Sequence, residues 1–83
     1  MTLPSTRSLE MFRAVSEAGS FRGAAKHLGL SPSTVSKAIA DLEARLGTRL
    51  ITRTTRQLAL TEAGVAYQAS VATALDALGE GAE

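Results

Sequence analysis

Apolar residues recur along this chain at helical spacing, in runs that glycine ends and serine or threonine restarts. Leu9, Phe12 and Val15 repeat every third residue, while Met11, Ala14, Val15 and Ala18 follow the i, i+3, i+4, i+7 pattern of one helix face. Thr6 is the expected cap of this first helix, and Gly19 suits the left-handed position past its end. Ser20 then caps a second helix, whose stripe is Phe21, Ala24, Ala25 and Leu28 and whose end is Gly29. Ser31-Pro32 opens a third. The serine offers a capping oxygen, and proline at the first helical position gives up an N–H that would have no partner anyway. Val35, Ile39, Leu42 and Leu46 form its stripe, and Gly47 stops it.

From Leu50 to Leu60 the pattern changes: threonines accumulate, with apolar residues at both ends and Arg53-Thr54-Thr55-Arg56 between them. This predicts two short strands around a basic turn. The turn lacks the Asn-Gly pair of a tight two-residue hairpin, so a looser connection is expected. Thr61 caps a fourth, alanine-rich helix that runs to about Leu78, with Glu62 in its first turn and Gly79 and Gly81 ending it. Tyr67, Val71, Ala74 and Leu78 share one of its faces, and Val65, Ala72 and Leu75 another. A long helix apolar on two faces cannot bury both against so small a domain. The first face is therefore the expected contact with a second copy.

Charge sharpens this division. All nine basic residues lie in residues 1–56 with four acids, a net +5; the remainder holds four acids and no base, so the formal total is only +1. Such asymmetry suggests a polyanion partner for the first part. With 83 residues the chain has room for one domain, and it contains no cysteine and a single histidine. Disulfides, thiolate metal sites and multi-histidine zinc sites are thereby excluded. No metal and no cofactor are expected. The longest apolar runs fall short of the ~18 residues of a membrane span, and the N-terminus lacks a signal-peptide pattern. The expected compartment is the cytoplasm.

The unit from Phe21 to Ala40 is the informative one: an eight-residue helix, a three-residue turn and a longer helix. Ala25 is small where the two helices cross. Gly29 sits where the turn needs positive φ, and Leu30 and Val35 plug the core beneath. Ser33, Thr34, Ser36 and Lys37 crowd the start of the third helix, and no acid precedes Asp41. That end of a helix carries free N–H groups and positive dipole, which favour phosphate. Small side chains also let the helix approach base edges in a major groove. The Ser and Thr residues could instead serve capping alone; Ser31 takes that role. Arg53 and Arg56 would act as the tip of a wing or, alternatively, as a solvated hairpin tip, and Arg22, at the start of the second helix, reads equally as a contact to the DNA backbone or as a solvated surface charge. Lys26, Arg7, Arg13, Arg45 and Arg49 read as surface charges, with Glu43 and Arg49 a candidate pair across the helix end.

Leu9-Glu10-Met11-Phe12, Gly19-Ser20-Phe21, Ala24-Ala25 and Leu28 resemble the N-terminal domain of the LysR-type transcriptional regulators. Residues 31–50, SPSTVSKAIADLEARLGTRL, are similar to that family's most diagnostic block, and Leu60-Thr61-Glu62-Ala63-Gly64 to the start of its linker helix. The likeness covers about residues 7–78. It departs in Ile51, where the family commonly has Phe, and at Thr54-Thr55, where the wing often has Gly.

The resemblance implies a mainly α fold. It is a winged helix-turn-helix of three helices plus a short two-stranded wing (residues 1–60), followed by a long linker and dimerisation helix with a short polar tail (residues 61–83). Carried over by position, Ser31, Pro32, Ser33, Thr34, Ser36 and Lys37 would face double-stranded DNA from the third helix, and Arg53 and Arg56 from the wing. The fourth helix would pair with that of a second subunit, and a homodimer would bind an imperfect palindrome. A larger effector domain normally follows, so the chain reads as an isolated DNA-binding domain, with no small-molecule ligand expected within it.

Two other readings compete. A Ser, His27 and Asp41 can be written as a triad, but no nucleophile turn or paired-carboxylate site accompanies them, so no enzyme is expected. A winged helix can also bind protein in place of DNA, since fold alone does not decide. Seven bases against two acids in residues 22–56 favour DNA.

Overall fold

The computed structural model describes residues 5–53 and 58–82. Its elements run α1 (Thr6–Ala18), α2 (Phe21–Leu28), α3 (Pro32–Leu46), β1 (Ile51–Arg53), β2 (Leu58–Leu60) and α4 (Glu62–Ala82). The two strands pair antiparallel with Ile51 opposite Leu60, Thr52 opposite Ala59 and Arg53 opposite Leu58. Thr52 adds a cross-strand bond by donating its hydroxyl to the Ala59 carbonyl at 3.3 Å. The connection at 54–57, expected to be a loose basic turn, lies outside the described residues.

Each of the first three helices starts on a serine in extended backbone whose hydroxyl accepts an N–H of the first turn. For α1 the cap is Ser5 and not Thr6: Ser5 Oγ accepts from Ser8 N at 3.1 Å, and Thr6 is already helical. The pattern located the first turn, but two neighbouring hydroxyl residues both qualified as caps. All three helices end on a glycine in the left-handed region. At the α2–α3 turn this is a requirement of the motif. Gly29, at φ 72°, lets its own N–H and that of Leu30 return to the Ala25 carbonyl, so α3 can leave at an angle.

The core lies where α1, α2 and α3 meet, closed by the entry to β1. Phe12, Val15, Ala24, Ala25, Val35, Ile39, Leu42, Leu50 and Ile51 are buried there, with Leu28, Leu30, Leu46 and Leu60 packed around them. Burying a side chain such as Phe12 or Ile39 contributes about 1.5–3 kcal/mol. No described polar or charged residue is buried among them. The chemistry of the chain is therefore at its surface.

Helix α4 corrects the sequence reading twice. It continues through Gly79 to Ala82. An isolated glycine costs a helix only about 1 kcal/mol relative to alanine, and Gly79 does not take the left-handed conformation of a cap. Val71, expected on the face offered to a second copy, is 2% exposed and belongs to the core. Tyr67 and Leu75 pack beside it, half-buried. Ala74 and Leu78 remain exposed, as does Val65 on the other flank. Val71 joins the buried cluster that holds Phe12 and Val15, and Tyr67, one turn earlier, meets the Phe12 ring, so the chain itself takes the centre of that stripe.

Arg13, read from sequence as a surface charge, ties α1 to α4. Its guanidinium lies 3.1 Å from Asp76 and 3.4 Å from Glu17. Hydrogen bonds to these carboxylates, Asp76 first, hold its protonated form even more firmly than usual.

Candidate nucleic-acid interface

Helix α3 buries Val35, Ile39 and Leu42 and half-buries Leu46. At 100° per residue, its opposite face then carries Ser33, Lys37, Ala40 and Ala44, with Ser36 on one edge and Asp41 on the other. Ser33, Lys37, Ala40, Asp41 and Ala44 are exposed and Ser36 is half-buried. From Ser33 to Ala44 this outward strip is roughly 16 Å long at 1.5 Å per residue. Apart from the flexible Lys37, its side chains are small, so a partner surface can approach the helix closely.

The start of α3 is a hydroxyl cluster. Ser31 Oγ accepts from Thr34 N at 3.2 Å and lies 2.8 Å from Thr34 Oγ1 and 3.2 Å from Ser33 Oγ. Ser31, Pro32, Ser33 and Thr34 are all exposed. The Ser31 hydroxyl is engaged in the cap, which makes it a positioning group for the turn. Ser33 and Lys37, one helical turn apart, point away from the core. Arg22 is exposed in the first turn of α2, and Lys26 is exposed one turn further on.

The sheet follows α3 closely: Glu43 ties its entry to that helix, and Thr61 ties the same entry to the start of α4. Glu43 Oε2 accepts the N–H of Leu50 at 2.8 Å and of Ile51 at 3.1 Å. The carboxylate expected to pair with Arg49 is thus committed to backbone. Thr61 donates its hydroxyl to the Arg49 carbonyl at 2.6 Å and its N–H to the Leu50 carbonyl at 2.9 Å. The same hydroxyl accepts from Gly64 N at 2.9 Å, capping α4. Arg53 closes β1 opposite Leu58, and Arg56 lies outside the described residues. Neither tie was read from the sequence. Thr61 shows there only as a cap, and Glu43 stands seven residues before its first partner, with no spacing rule to link them.

His27 is exposed beside an open groove of about 500 Å³ between α1, α2 and α4, which Glu10, Arg13 and Glu17 also line. Asp41 does not line this groove, so the paper triad is not assembled there. Among the described residues, no three His, Cys, Asp or Glu side chains cluster to hold a metal ion. None of their helices is long and apolar enough to cross a membrane.

The profile of the bacterial regulatory helix-turn-helix proteins of the lysR family matches residues 6–65. A helix-turn-helix-type transcriptional regulator of Xanthomonas campestris is 54% identical over 57 residues, which make up 69% of this chain and 17% of that protein. The crystal structure of the CbnR DBD–DNA complex aligns with a TM-score of 0.89 at 36% identity, covering 94% of this chain and 90% of that one. The BenM DBD in complex with benA site 1 DNA aligns with a TM-score of 0.88 at 30% identity, covering 92% and 88%. The chain spans about a fifth of the length of the curated relatives it matches.

Proposed function

We propose, from the premise that the chain belongs to the lysR family of bacterial regulatory helix-turn-helix proteins, that it binds specific sequences in double-stranded DNA to regulate transcription. One observation carries this reading: the outward face of α3 is a narrow strip of hydroxyl, methyl and Lys37 side chains beginning at a capped, electropositive helix start. The relatives solved with DNA bound support it.

In this reading α3 enters the major groove. Ser33, Ser36 and Lys37 meet base edges, while the Thr34 hydroxyl and the Ser33 N–H at the electropositive helix start hold phosphate. Ser31 and Pro32 shape that turn. Arg22 grips the sugar–phosphate backbone and fixes the register without reading sequence. Arg53 and Arg56 reach the flanking minor groove or its phosphates from the wing. Residues 1–60 do the reading, and residues 61–83 link two copies through α4. With Val71 committed to the core, the proposed dimer contact is the flank bearing Ala74, Leu78 and the exposed side of Tyr67.

The chain acts in the cytoplasm by binding and not as an enzyme, and the reading calls for neither metal nor cofactor. A protein-binding winged helix is disfavoured because the strip on α3 lacks the large apolar anchors that such interfaces use.

Selection of bound duplexes from a random DNA pool tests the proposal. It predicts enrichment of an imperfect palindrome with half-sites about 34–36 Å apart, one helical turn, or a multiple of that. A pool that returns no enriched sequence contradicts it.

A further inference from the structure

The Glu43 carboxylate is the one acidic group of α3 that faces the sheet and not solvent, and a single oxygen takes both N–H groups at the entry to β1. Its own backbone carbonyl accepts from Gly47 at 2.8 Å and Thr48 at 3.2 Å, closing the helix. On the other side of the strand entry, the Thr61 N–H holds the Leu50 carbonyl. Leu50 and Ile51 are also buried, at 1% and 3% exposure. Apolar burial fixes where the strand begins, but it is non-directional. The two bonds from Glu43 add the direction in which the strand leaves α3. Arg53 lies roughly 7 Å past Ile51 at ~3.3 Å per residue. A tilt of about 15° at the entry would displace it by about 2 Å, more than a hydrogen bond tolerates.

We infer that Glu43 is a specificity-positioning residue: it sets the angle between the recognition helix and the wing, and through it which base pairs flanking the helix site are discriminated. This rests on the proposed DNA reading. Length matters more than charge here. Glutamine keeps an oxygen at the same reach, whereas aspartate keeps the charge and falls one methylene short.

The test repeats the random-pool selection with the wild-type chain, Glu43→Gln, Glu43→Asp and Glu43→Ala, each checked for native helix content by circular dichroism. The flanking positions are defined as those whose preference Arg53→Ala relaxes. Glu43→Gln should keep central and flanking preferences. Glu43→Asp and Glu43→Ala should keep the central preference while the penalty for a wrong flanking base pair drops from about five-fold or more to under about two-fold. The inference is overturned if Asp and Ala retain the flanking preference, if central and flanking preferences fall together, or if Gln behaves like Asp. Should Asp and Ala fail to fold, an amide-to-ester replacement at Ile51 in a synthetic chain removes one N–H and no side chain. Loss of flanking preference then supports the inference, and its retention overturns it. A wild-type chain that enriches no sequence defeats the DNA reading itself, before any variant is compared.

Discussion

The Tyr67 ring of α4 leans on Phe12 of α1, with centroids 5.6 Å apart and planes at 60°. Tilted contact of this kind adds to the area both rings bury. With Val71 and Leu75 it makes the first two-thirds of α4 part of the domain core. Tyr67→Ala should therefore lower unfolding stability by about 2 kcal/mol, measured by urea denaturation. A change within about 0.5 kcal/mol would mean that α4 does not pack there.

Burial also raises the Tyr67 pKa above its ordinary value of about 10. The folded state then holds the phenolic proton where the unfolded chain has begun to release it. This contribution is fully present below pH ~10 and is lost as pH rises through the folded value. Tyr67 is the only tyrosine, so tyrosinate absorbance reports it alone. Its midpoint should lie higher in the folded chain than in urea, and Tyr67→Phe should flatten the alkaline fall in stability.

Gly64 packs so closely under the Leu50 carbonyl that a Cβ on it would run into that oxygen. The carbonyl is held by the Thr61 N–H at 2.9 Å and cannot simply turn aside. Gly64→Ala should thus destabilise by about 2–3 kcal/mol, although alanine is the better helix former. Thermal melts of Gly64→Ala and of the exposed Gly79→Ala should move in opposite directions. Nothing crowds a Cβ at Gly79, so that variant should gain up to about 1 kcal/mol.

Leu78 is 58% exposed on the α4 flank proposed to meet a second copy. Leu78→Glu should leave the thermal melt of the monomer unchanged and shift sedimentation from dimer to monomer at high micromolar concentration. A wild-type chain that sediments as a monomer there contradicts the proposed contact.

How much of this was legible depended on whether the cause was local. Helices α1 to α3 follow from stripes such as Val35, Ile39 and Leu42, and from their serine starts and glycine ends, because caps and periodicity act within a few residues. The outward strip from Ser33 to Lys37 came with them, as the face the stripe leaves over. Which stripe of α4 is buried did not follow. Val71 and Leu78 sit on one face by spacing, and only the way α4 packs on the folded core separates them. The bonds from Glu43 to Leu50 and Ile51 join a side chain to distant backbone N–H groups, which every residue but proline carries, so no residue type announces them. Arg13 was legible as a charge, but its partner Asp76 is 63 positions away.

The central claim, specific reading of duplex DNA by α3, is tested most directly by affinity titrations at several salt concentrations. The probes are the selected duplex and a scrambled duplex of equal composition, with wild-type chain and Lys37→Ala. The account predicts that wild type prefers the selected duplex by about 10³-fold or more. It predicts affinity that falls steeply with salt as counterions are released, and a Lys37→Ala variant that binds the selected duplex more weakly. Equal affinity for the two duplexes, or binding that neither salt nor Lys37→Ala changes, would contradict it.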